Sequence, residues 1–533
     1  MKLDRRDFML LMGSSVMLPV FGSSFGARAQ ESVTGGMLRI FLNEPTSLCS
    51  AFNSAGQIAQ ISPKIFDGLV EYDFDMVPQP RLATSVELSA DAKTLTIKLR
   101  EGLRWHDGKP LTSADVQFSA MEVWKILHPR GRATYGTLRE VETPDETTAI
   151  FRFSSPAGFV LNALNSSEAQ VIPRHIYQGT DILTNPANIS PVGSGPFRFV
   201  EWRQGEYILL ERNPDYWDKG KPYLDRIVVL LQQDPSSRAI AFETQEVEFA
   251  GAVPVSFADA RRLDALPYIE VPDKGFEAYG NNVFTEVNLR RPNLQDVRVR
   301  RAILHAIDRE FILKNIFFGF GSVATGPVPQ TITKFYTADV PQYPFDPELA
   351  QTLLDEAGFT PGADNLRLRL TIDAPPSGAG VYIAVAEYIK QALRIVGIDA
   401  TIRSSDFATF YKRIYTDYDF DLTVTGASAL TDPTIGVQRF FWSKNITPGV
   451  PFSNSSGYAK PETDALLEAA QREPDSQRRV EIFYKFQYLV VTDLPILPLA
   501  DVPYFAVKNT RVHNSELTPF GSAGSFADVY LTP

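Results

Sequence analysis

The sequence is poor in the residues that metal, disulfide and nucleic-acid chemistry require. It has one cysteine, Cys49, and five histidines in 533 residues. A single thiol excludes an intrachain disulfide and a cysteine metal cluster, and no His-Glu-x-x-His motif occurs. With 52 basic against 63 acidic residues, the net charge is −11. This charge argues against nucleic acid as a partner, because phosphate binding needs clustered lysines and arginines.

Catalytic motifs are missing as well. There is no P-loop, and the glycines near position 320 lack the spacing of a dinucleotide-binding fingerprint. One G-x-S-x-G match, 22–26, lies in the N-terminal segment described next, where a nucleophile elbow is not expected. These absences predict a protein that is not an enzyme and holds neither a cofactor nor a metal. A secreted hydrolase, with its catalytic groups assembled from distant residues, stays as an alternative.

The N-terminus has the three parts of an export signal. The pair Arg5-Arg6 precedes Phe8, an apolar stretch with small residues follows, and Ala27-Arg28-Ala29 forms a small-x-small cleavage site. We predict that 1–29 is a Tat-type signal peptide, cleaved near Ala29, and that the remainder is a soluble periplasmic protein. A membrane anchor is the alternative, but glycines, serines and a proline interrupt the apolar stretch.

Strand and helix patterns alternate along the remaining sequence, which predicts a mixed α/β protein. Asp346-Pro347 supplies an N-cap and a first-turn proline for a helix that Gly358 ends. Apolar residues at helical spacing, beginning with Val299, predict one helix over 296–316. The clearest strand patterns are Met37–Leu42, Leu95–Leu99, Ile227–Leu231, Arg367–Ile372 and Asp419–Thr425.

Four blocks of sequence, in a fixed order along the chain, point to one family. The first, 95–119, reads LTIKLREGLRWHDGKPLTSADVQFS, and the others lie at 193–229, 288–310 and 346–359. Together they resemble the bacterial extracellular solute-binding proteins of family 5, the peptide- and nickel-binding components of ABC importers. The blocks extend over nearly the whole chain after the predicted signal peptide.

The resemblance implies a two-lobed periplasmic-binding-protein clamshell of type II, with a two-strand hinge and the solute bound between the lobes. The first lobe would be discontinuous, over 30–59, 188–286 and 495–533, with an inserted subdomain at 60–187. The second lobe would span 287–494. The closed protein would dock on a membrane permease that an ATPase powers. A monomer without a nucleic-acid partner is expected.

The resemblance also implies which segments line the pocket. They are the loop after the first strand, the loop after the strand that ends near Thr425, and the strand that returns to the first lobe. An aromatic residue beyond the second loop is a candidate for stacking on the solute. The predicted ligand-binding residues are Asn43, Glu44, Thr46, Thr425, Gly426, Ala427, Ser428, Asp432, Trp442 and Asp501.

Three of these positions allow more than one interpretation. Peptide-binding relatives place an aspartate four residues before the proline of an acidic-Pro pair, here Asp432-Pro433, to bind the peptide amino group. That position is Ala429, so the anchor is missing or the loop is shifted by one residue. Asp501 follows an apolar run, where it binds a cationic or hydroxyl-rich group of the solute or forms a salt bridge. Trp442 stacks on the solute or packs in the core.

The sequence therefore predicts a short peptide, or a peptide-like or opine-like molecule, as the solute. An oligosaccharide or a sugar conjugate is the main alternative, and it predicts aromatic stacking without a buried charge pair. Nickel and haem are disfavoured because the predicted pocket loops contain no histidine.

Overall fold

The computed structural model describes residues 34–362, 364–375 and 380–533. The predicted signal peptide lies outside the described residues, and no helix within them is long and apolar enough to cross a membrane. In chain order the strands are β1 (Met37–Leu42), β2 (Val70–Tyr72), β3 (Pro78–Pro80), β4 (Ala83–Leu88), β5 (Thr94–Leu99), β6 (Leu138–Asp145), β7 (Thr148–Phe153), β8 (Phe197–Arg203), β9 (Tyr207–Arg212), β10 (Arg226–Leu231), β11 (Phe249–Ala250), β12 (Ile269–Glu270), β13 (Asn281–Val287), β14 (Ser322–Val323), β15 (Leu368–Asp373), β16 (Ile398–Arg403), β17 (Leu422–Ser428), β18 (Ile496–Asp501), β19 (Val507–Asn509), β20 (Val512–His513) and β21 (Tyr530–Leu531).

Helices connect and cover these strands. Short 3-10 and π-helical turns also occur, and two π-helical turns directly extend α2 and α12. The helices are α1 (Gly56–Ile65), α2 (Ser113–Phe118), α3 (Gly131–Tyr135), α4 (Arg174–Tyr177), α5 (Pro235–Glu243), α6 (Phe257–Leu263), α7 (Pro292–Gln295), α8 (Val297–His305), α9 (Arg309–Asn315), α10 (Pro347–Glu356), α11 (Val381–Ile395), α12 (Phe407–Tyr411), α13 (Pro433–Gly436), α14 (Pro461–Arg472) and α15 (Ser476–Asp493).

Three larger sheets organise the molecule. The first has the order β12-β19-β11-β1-β10-β9-β8, in which β1 is parallel to both β10 and β11. The second has the order β14-β18-β13-β17-β15-β16 and is likewise mixed. The third, β4-β5-β7-β6, is antiparallel and belongs to the insertion between β1 and β8. We call the part built on the first and third sheets the first lobe, and the part built on the second sheet the second lobe.

The chain passes between the lobes twice. One crossing, 271–280, joins β12 to β13, and the other, 502–506, joins β18 to β19. β13 and β18 pair with each other in the second sheet. The sheets therefore assign both strands to the second lobe, whereas the predicted limits at 286 and 494 assign most of β13 and all of β18 to the first lobe. The limits of the domains themselves stay a prediction.

Apolar packing follows this division only in part. The largest cluster fills the first lobe and includes the buried Trp105 and Trp124. A second cluster fills the face of the second sheet that α8, α10 and α11 cover and continues into the first lobe, where Phe41 and Phe242 belong to it. A third cluster fills the opposite face of the second sheet, with Phe284 against Phe440. Each fully buried aromatic ring of this kind contributes about 1.5–3 kcal/mol of transfer free energy.

Most of the local predictions are confirmed. The strands Met37–Leu42, Leu95–Leu99, Ile227–Leu231 and Arg367–Ile372 are present, with shifts of at most one residue at their ends. Asp346 caps α10 by accepting a hydrogen bond from the Leu349 amide at 2.9 Å.

Two local predictions are wrong. The expected helix over 296–316 is broken into α8 and α9, because Asp308 accepts a hydrogen bond from the Phe311 amide (3.0 Å) and starts a new helix. The strand expected at Asp419–Thr425 is β17, which begins and ends three residues later. Thr425 to Ser428 are therefore strand residues and not part of a loop.

A buried carboxylate without a cationic partner lies in the second lobe. Glu286, on β13, is fully buried; its Oε2 accepts a hydrogen bond from the Ser455 hydroxyl. Among the described residues, its Oε1 has no hydrogen-bond partner. Burial raises the pKa of Glu286 to about 7. The folded protein therefore binds a proton here more tightly than the unfolded chain does.

This arrangement predicts a pH-dependent effect of Glu286→Gln. The folded-state pKa lies above the ordinary 4.5, so the stabilisation by proton binding is complete below about pH 4.5 and is lost as the pH rises through 7. Between pH 5 and pH 8 the variant should gain about 2–3 kcal/mol in free energy of unfolding relative to the wild type. Urea unfolding at both pH values measures this difference. Glu310→Gln, at an exposed site on α9, should show no such gain; equal behaviour of the two variants would contradict the prediction.

Candidate functional site

A cavity of about 570 Å³ lies between the two lobes. The first lobe contributes the loops after β1, β10 and β11 together with the start of α1, and the second contributes β13, the start of α11 and the crossing 502–506. Since β1, β10 and β11 are parallel, their carboxyl ends meet at one edge of the sheet, where α/β proteins bind ligands. The polar side chains that line the cavity are Asn43, Gln57, Gln60, Gln233, Arg238, Asn281, Tyr382 and Tyr504.

Arg238 carries the only charge among the described residues that line this cavity. It lies in α5, whose start Asp234 and Pro235 fix as N-cap and first residue. Its guanidinium donates hydrogen bonds to Gln232 O (2.7 Å), to Pro254 O (3.2 Å) and to the side chain of Asn43.

None of these acceptors is a carboxylate. Burial lowers the pKa of Arg238 to about 10, so the group remains charged at neutral pH. Its positive charge is solvated by neutral oxygens from three loops, and no described salt bridge neutralises it.

Tyrosines form the opposite wall. Tyr382 enters from the first turn of α11 and packs over β17 at Gly426, where a Cβ atom would lie 2.5 Å from the Tyr382 hydroxyl. Tyr504 lies on the second crossing; its hydroxyl bonds with the side chain of Ser428, and its ring centroid is 5.6 Å from that of Tyr279. Burial raises the pKa of both Tyr382 and Tyr504. The two phenols therefore stay neutral and can donate hydrogen bonds.

The loop after β1 reaches the cavity in part. Asn43 lines it, whereas Glu44 accepts a hydrogen bond from the Gly205 amide (2.9 Å) and Thr46 is exposed. On β17, Gly426 lies beneath Tyr382 and Ser428 bonds with Tyr504. Of these predicted residues, Asn43 lines the cavity, whereas Gly426 and Ser428 contact the two tyrosines of its wall.

The remaining residues of β17 are placed elsewhere. Thr425 is buried in the sheet opposite Phe284. Ala427 lines a separate apolar pocket of only about 20 Å³, together with Val437 and Phe441. This pocket is too small for a solute, since ligand sites enclose about 300–1,000 Å³.

Asp432 forms a buried ion pair. It is fully buried, and Arg479 Nη1 donates to its Oδ2 at 2.6 Å. Burial alone would raise the pKa of Asp432, but the Arg479 guanidinium outweighs that effect and holds the pKa below its ordinary value. Asn162 of the first lobe donates to the same oxygen at 2.8 Å. Asp432 therefore connects the lobes and does not line the cavity.

Trp442 and Asp501 also lie away from this cavity. The Trp442 indole Nε1 is 3.3 Å from Glu468 Oε1, and the ammonium of Lys444 stands 5.2 Å from its ring centroid. Asp501 lines a second cavity on the other side of the two crossings. The predicted salt bridge of Asp501 is absent from the described ion pairs, and its carboxylate instead accepts hydrogen bonds from Asn282 and Gln330.

The sequence-based prediction did not include the residues that give the cavity its charge and its hydrogen-bonding groups. Arg238 and Tyr382 each lie in the first turn or two of a helix that follows a strand. The capping pattern Asp234-Pro235 could have indicated the position of Arg238. No local pattern distinguishes Gln57 and Gln60 from other polar residues on α1.

Comparisons with known proteins agree with this geometry. The family model for bacterial extracellular solute-binding proteins, family 5 (Middle), matches residues 77–448. The oligopeptide-binding protein AppA of Bacillus subtilis is 26% identical over 520 residues, covering 92% of this chain and 93% of AppA. The glutathione-binding protein GsiB of Pectobacterium atrosepticum is 25% identical over 485 residues, covering 89% of each chain.

Solved structures show the same fold. The ABC transporter substrate-binding protein CtaP of Listeria monocytogenes superposes with a TM-score of 0.82 at 26% identity, over 94% of this chain and 100% of CtaP. AgaA of A. tumefaciens R10, in complex with agropinic acid, gives a TM-score of 0.77 at 26% identity, over 93% and 99% of the two chains. The match covers more than half of the sequence, and the structure has the two lobes and the cavity between them. The chain belongs to the bacterial extracellular solute-binding proteins, family 5.

Proposed function

We propose that this protein captures a small solute that carries a carboxylate, in the cavity between its lobes, and delivers it to an ABC-type importer. The observation that carries the proposal is Arg238, a charged group without a carboxylate partner at the wall of the cavity. An anionic group of the solute would gain from this uncompensated charge in a site of low dielectric constant.

The other lining groups favour a solute with neutral polar groups. Glutamines, asparagines and two tyrosines offer hydrogen-bond donors and acceptors without further charge. A peptide-like or opine-like molecule combines hydroxyl or amide groups with a carboxylate. The complex of AgaA with agropinic acid supports this class for a relative of the same fold.

Two other solutes stay as alternatives. A short peptide is favoured by the oligopeptide-binding relatives, but none of the described lining residues is a carboxylate that could bind a peptide amino group. An oligosaccharide is favoured by the rings of Tyr382 and Tyr504, on which sugars could stack.

The same proposal covers the cellular context. The twin-arginine segment at 1–29 supports export through the Tat route and cleavage near Ala29, which would leave a soluble periplasmic protein. There a permease and its ATPase would receive the solute, and the binding protein would act as a monomer without turnover.

A titration of the mature protein tests the solute class. Agropinic acid, the tetrapeptide Ser-Thr-Ser-Ala and maltotriose are compared by isothermal titration calorimetry. We expect agropinic acid to bind tightest of the three. The proposal is wrong if maltotriose binds tightest. It is also wrong if the peptide binds more tightly than agropinic acid and acetylation of the peptide amino group abolishes that binding. If a sub-stoichiometric amount of the protein consumed a probe, that result would instead support the alternative that the protein is a secreted hydrolase.

Gln60→Glu tests the sign of the charge that the cavity selects. The substitution places a carboxylate beside the solute, so affinity for agropinic acid should fall tenfold or more, while affinity for a neutral sugar should change little. Gln178→Glu, at an exposed site directly after α4, is the matched control and should leave both affinities unchanged. Equal losses for acidic and neutral probes would contradict an anion-selective cavity.

The contact between Asn162 and Asp432 predicts that Asn162 stabilises the closed arrangement of the two lobes. Asn162 donates to Asp432 at 2.8 Å, and its carbonyl accepts a hydrogen bond from the Thr431 hydroxyl at 2.9 Å. These bonds join the two lobes, and Asn162→Ala removes the side-chain bond to Asp432 while it keeps the bond to the backbone carbonyl. The substitution should therefore weaken solute binding about fivefold, mainly through faster dissociation. Stopped-flow dissociation of the tightest probe measures this effect.

The matched control for this prediction is Asn315→Ala, at an exposed site on α9. It should not change the dissociation rate. The prediction fails if Asn162→Ala leaves the dissociation rate at the wild-type value.

A further inference from the structure

A second cavity, of about 640 Å³, lies behind the two crossings. We call it the hinge crevice. Its walls come from α6, from both crossings, and from β14 with the loop that follows it. Asn281 and Val502 line both this crevice and the cavity between the lobes. The crossings therefore separate two cavities of similar size, and the proposed solute site accounts for only one of them.

The hinge crevice contains a carboxylate with no cationic partner. Asp501, at the end of β18, is only 5% exposed. Its Oδ1 accepts a hydrogen bond from Asn282 Nδ2 at 2.9 Å, and its Oδ2 accepts one from the Gln330 amide at 3.2 Å. Both donors are neutral, and none of the ion pairs in the described part of the chain includes Asp501. A buried charge in this state is costly unless something else compensates it.

The cations of the crevice walls are engaged elsewhere. Arg261 donates to Phe318 O at 3.2 Å, and its guanidinium stands 5.6 Å from the ring centroid of Phe320. Lys274 stands 4.7 Å from the ring centroid of Phe74. Neither forms an ion pair with Asp501, which leaves room for a cation from outside the chain.

The crevice is also too large and too apolar for a bare ion. Its volume falls in the range of about 300–1,000 Å³ that is typical of small-molecule sites. Phe276, Phe320, Pro329 and Pro503 supply apolar surface, and the charged lining residues are three acidic ones and two basic ones, namely Asp273, Glu277, Asp501, Arg261 and Lys274. Such a lining suits an organic cation with an aliphatic body and a charged end.

We propose that the hinge crevice is a binding site for a small organic cation, whose ammonium or guanidinium group pairs with Asp501. This site is separate from the solute cavity and does not depend on the identity of the solute there. In the complex the cation replaces the missing partner of the carboxylate, and both carboxylate oxygens keep their neutral donors.

Agmatine, which has a guanidinium and an ammonium group on a four-carbon chain, is the probe. We expect it to bind the mature wild-type protein in calorimetry at pH 8 and low ionic strength, and 1,4-butanediol not to bind. Asp501→Asn should weaken agmatine binding at least tenfold, because the amide keeps the shape but loses the charge. The matched control, Asp273→Asn, changes an exposed carboxylate of the crevice and should weaken binding less than twofold.

Three results would overturn the proposal. They are no binding of agmatine to the wild type, equal losses in the two variants, and tighter binding of Ca²⁺ than of agmatine at Asp501. If Asp501→Asn does not fold, the variant Ser322→Phe tests the proposal by itself. The phenylalanine fills the crevice beside an intact Asp501 and should abolish agmatine binding. Undiminished binding would overturn the proposal.

The pH dependence gives an independent readout. Burial raises the pKa of Asp501 to about 7. Its hydrogen-bond partners are the neutral Asn282 and Gln330, and the charged groups of the same crevice are Arg261, Asp273, Lys274 and Glu277. Agmatine keeps its charge over this range, so its affinity should fall several-fold between pH 8 and pH 6 as Asp501 takes up a proton. Ser322→Phe should show no binding at either pH, and an affinity that does not change with pH in the wild type would argue against Asp501 as the partner.

Discussion

The arrangement of the lobes depends on the fact that, within the described residues, only two short segments connect them. Hydrogen bonds anchor both crossings to the second sheet. The Val502 amide donates to Asn281 O at 2.9 Å, and the Ala429 amide donates to Gly280 O at 2.9 Å. The ladder of β13 with its neighbours thus extends into the crossings and fixes where they leave the second lobe. Everything else that positions the lobes is non-covalent, so a cavity between them can open and close at modest cost.

Buried basic side chains hold the walls of that cavity in place. Arg238 bonds to three loops of the first lobe. Lys64, on α1, is fully buried and donates to Gln60 O (2.6 Å), Ser522 O (2.8 Å) and Gly524 O (3.1 Å), and burial holds its pKa well below the ordinary value. Through Lys64 the C-terminal segment is tied to the helix that presents Gln60 to the cavity. In both cases neutral oxygens accept the hydrogen bonds, so the side chain fixes loop geometry without a carboxylate that would compete for a charged ligand.

How far the sequence predicts this structure depends on whether the signal is local. The apolar segment MLRIFL identified β1 to the residue, and Asp346 identified the start of α10, because strand-forming composition and helix capping act within a few residues. The break at Asp308 was missed because the apolar period continues across it, and only the cap interrupts the helix. β17 was displaced because its end, Thr425–Ser428, pairs with β13 more than a hundred residues away.

The candidate site was harder to predict for the same reason. Family resemblance pointed to Asn43, which follows β1 and lines the cavity, and to Gly426 and Ser428, which lie on β17 against the tyrosines of its wall. It could not assign Asp432, whose partner Arg479 is 47 residues away. Nor could it assign Asp501 to one side of the crossings, because the side is determined by which face of β18 meets the neighbouring loop. Tertiary pairing, and not local pattern, decides both.

The two uncompensated charges lie on opposite sides of the same crossings, and this placement has a physical consequence. Arg238 places a positive charge at the cavity between the lobes, and Asp501, when ionised, places a negative one in the hinge crevice, whose other charged residues are two basic and two acidic ones. Each charge has neutral hydrogen-bond partners, so each can be kept inside the protein, but each still leaves an electrostatic field that a ligand group of opposite sign would neutralise. Had the two groups shared one cavity, they could have paired with each other. The crossings that connect the lobes thus also separate the two groups, and this separation is the basis of the ligand preferences proposed above for the two cavities.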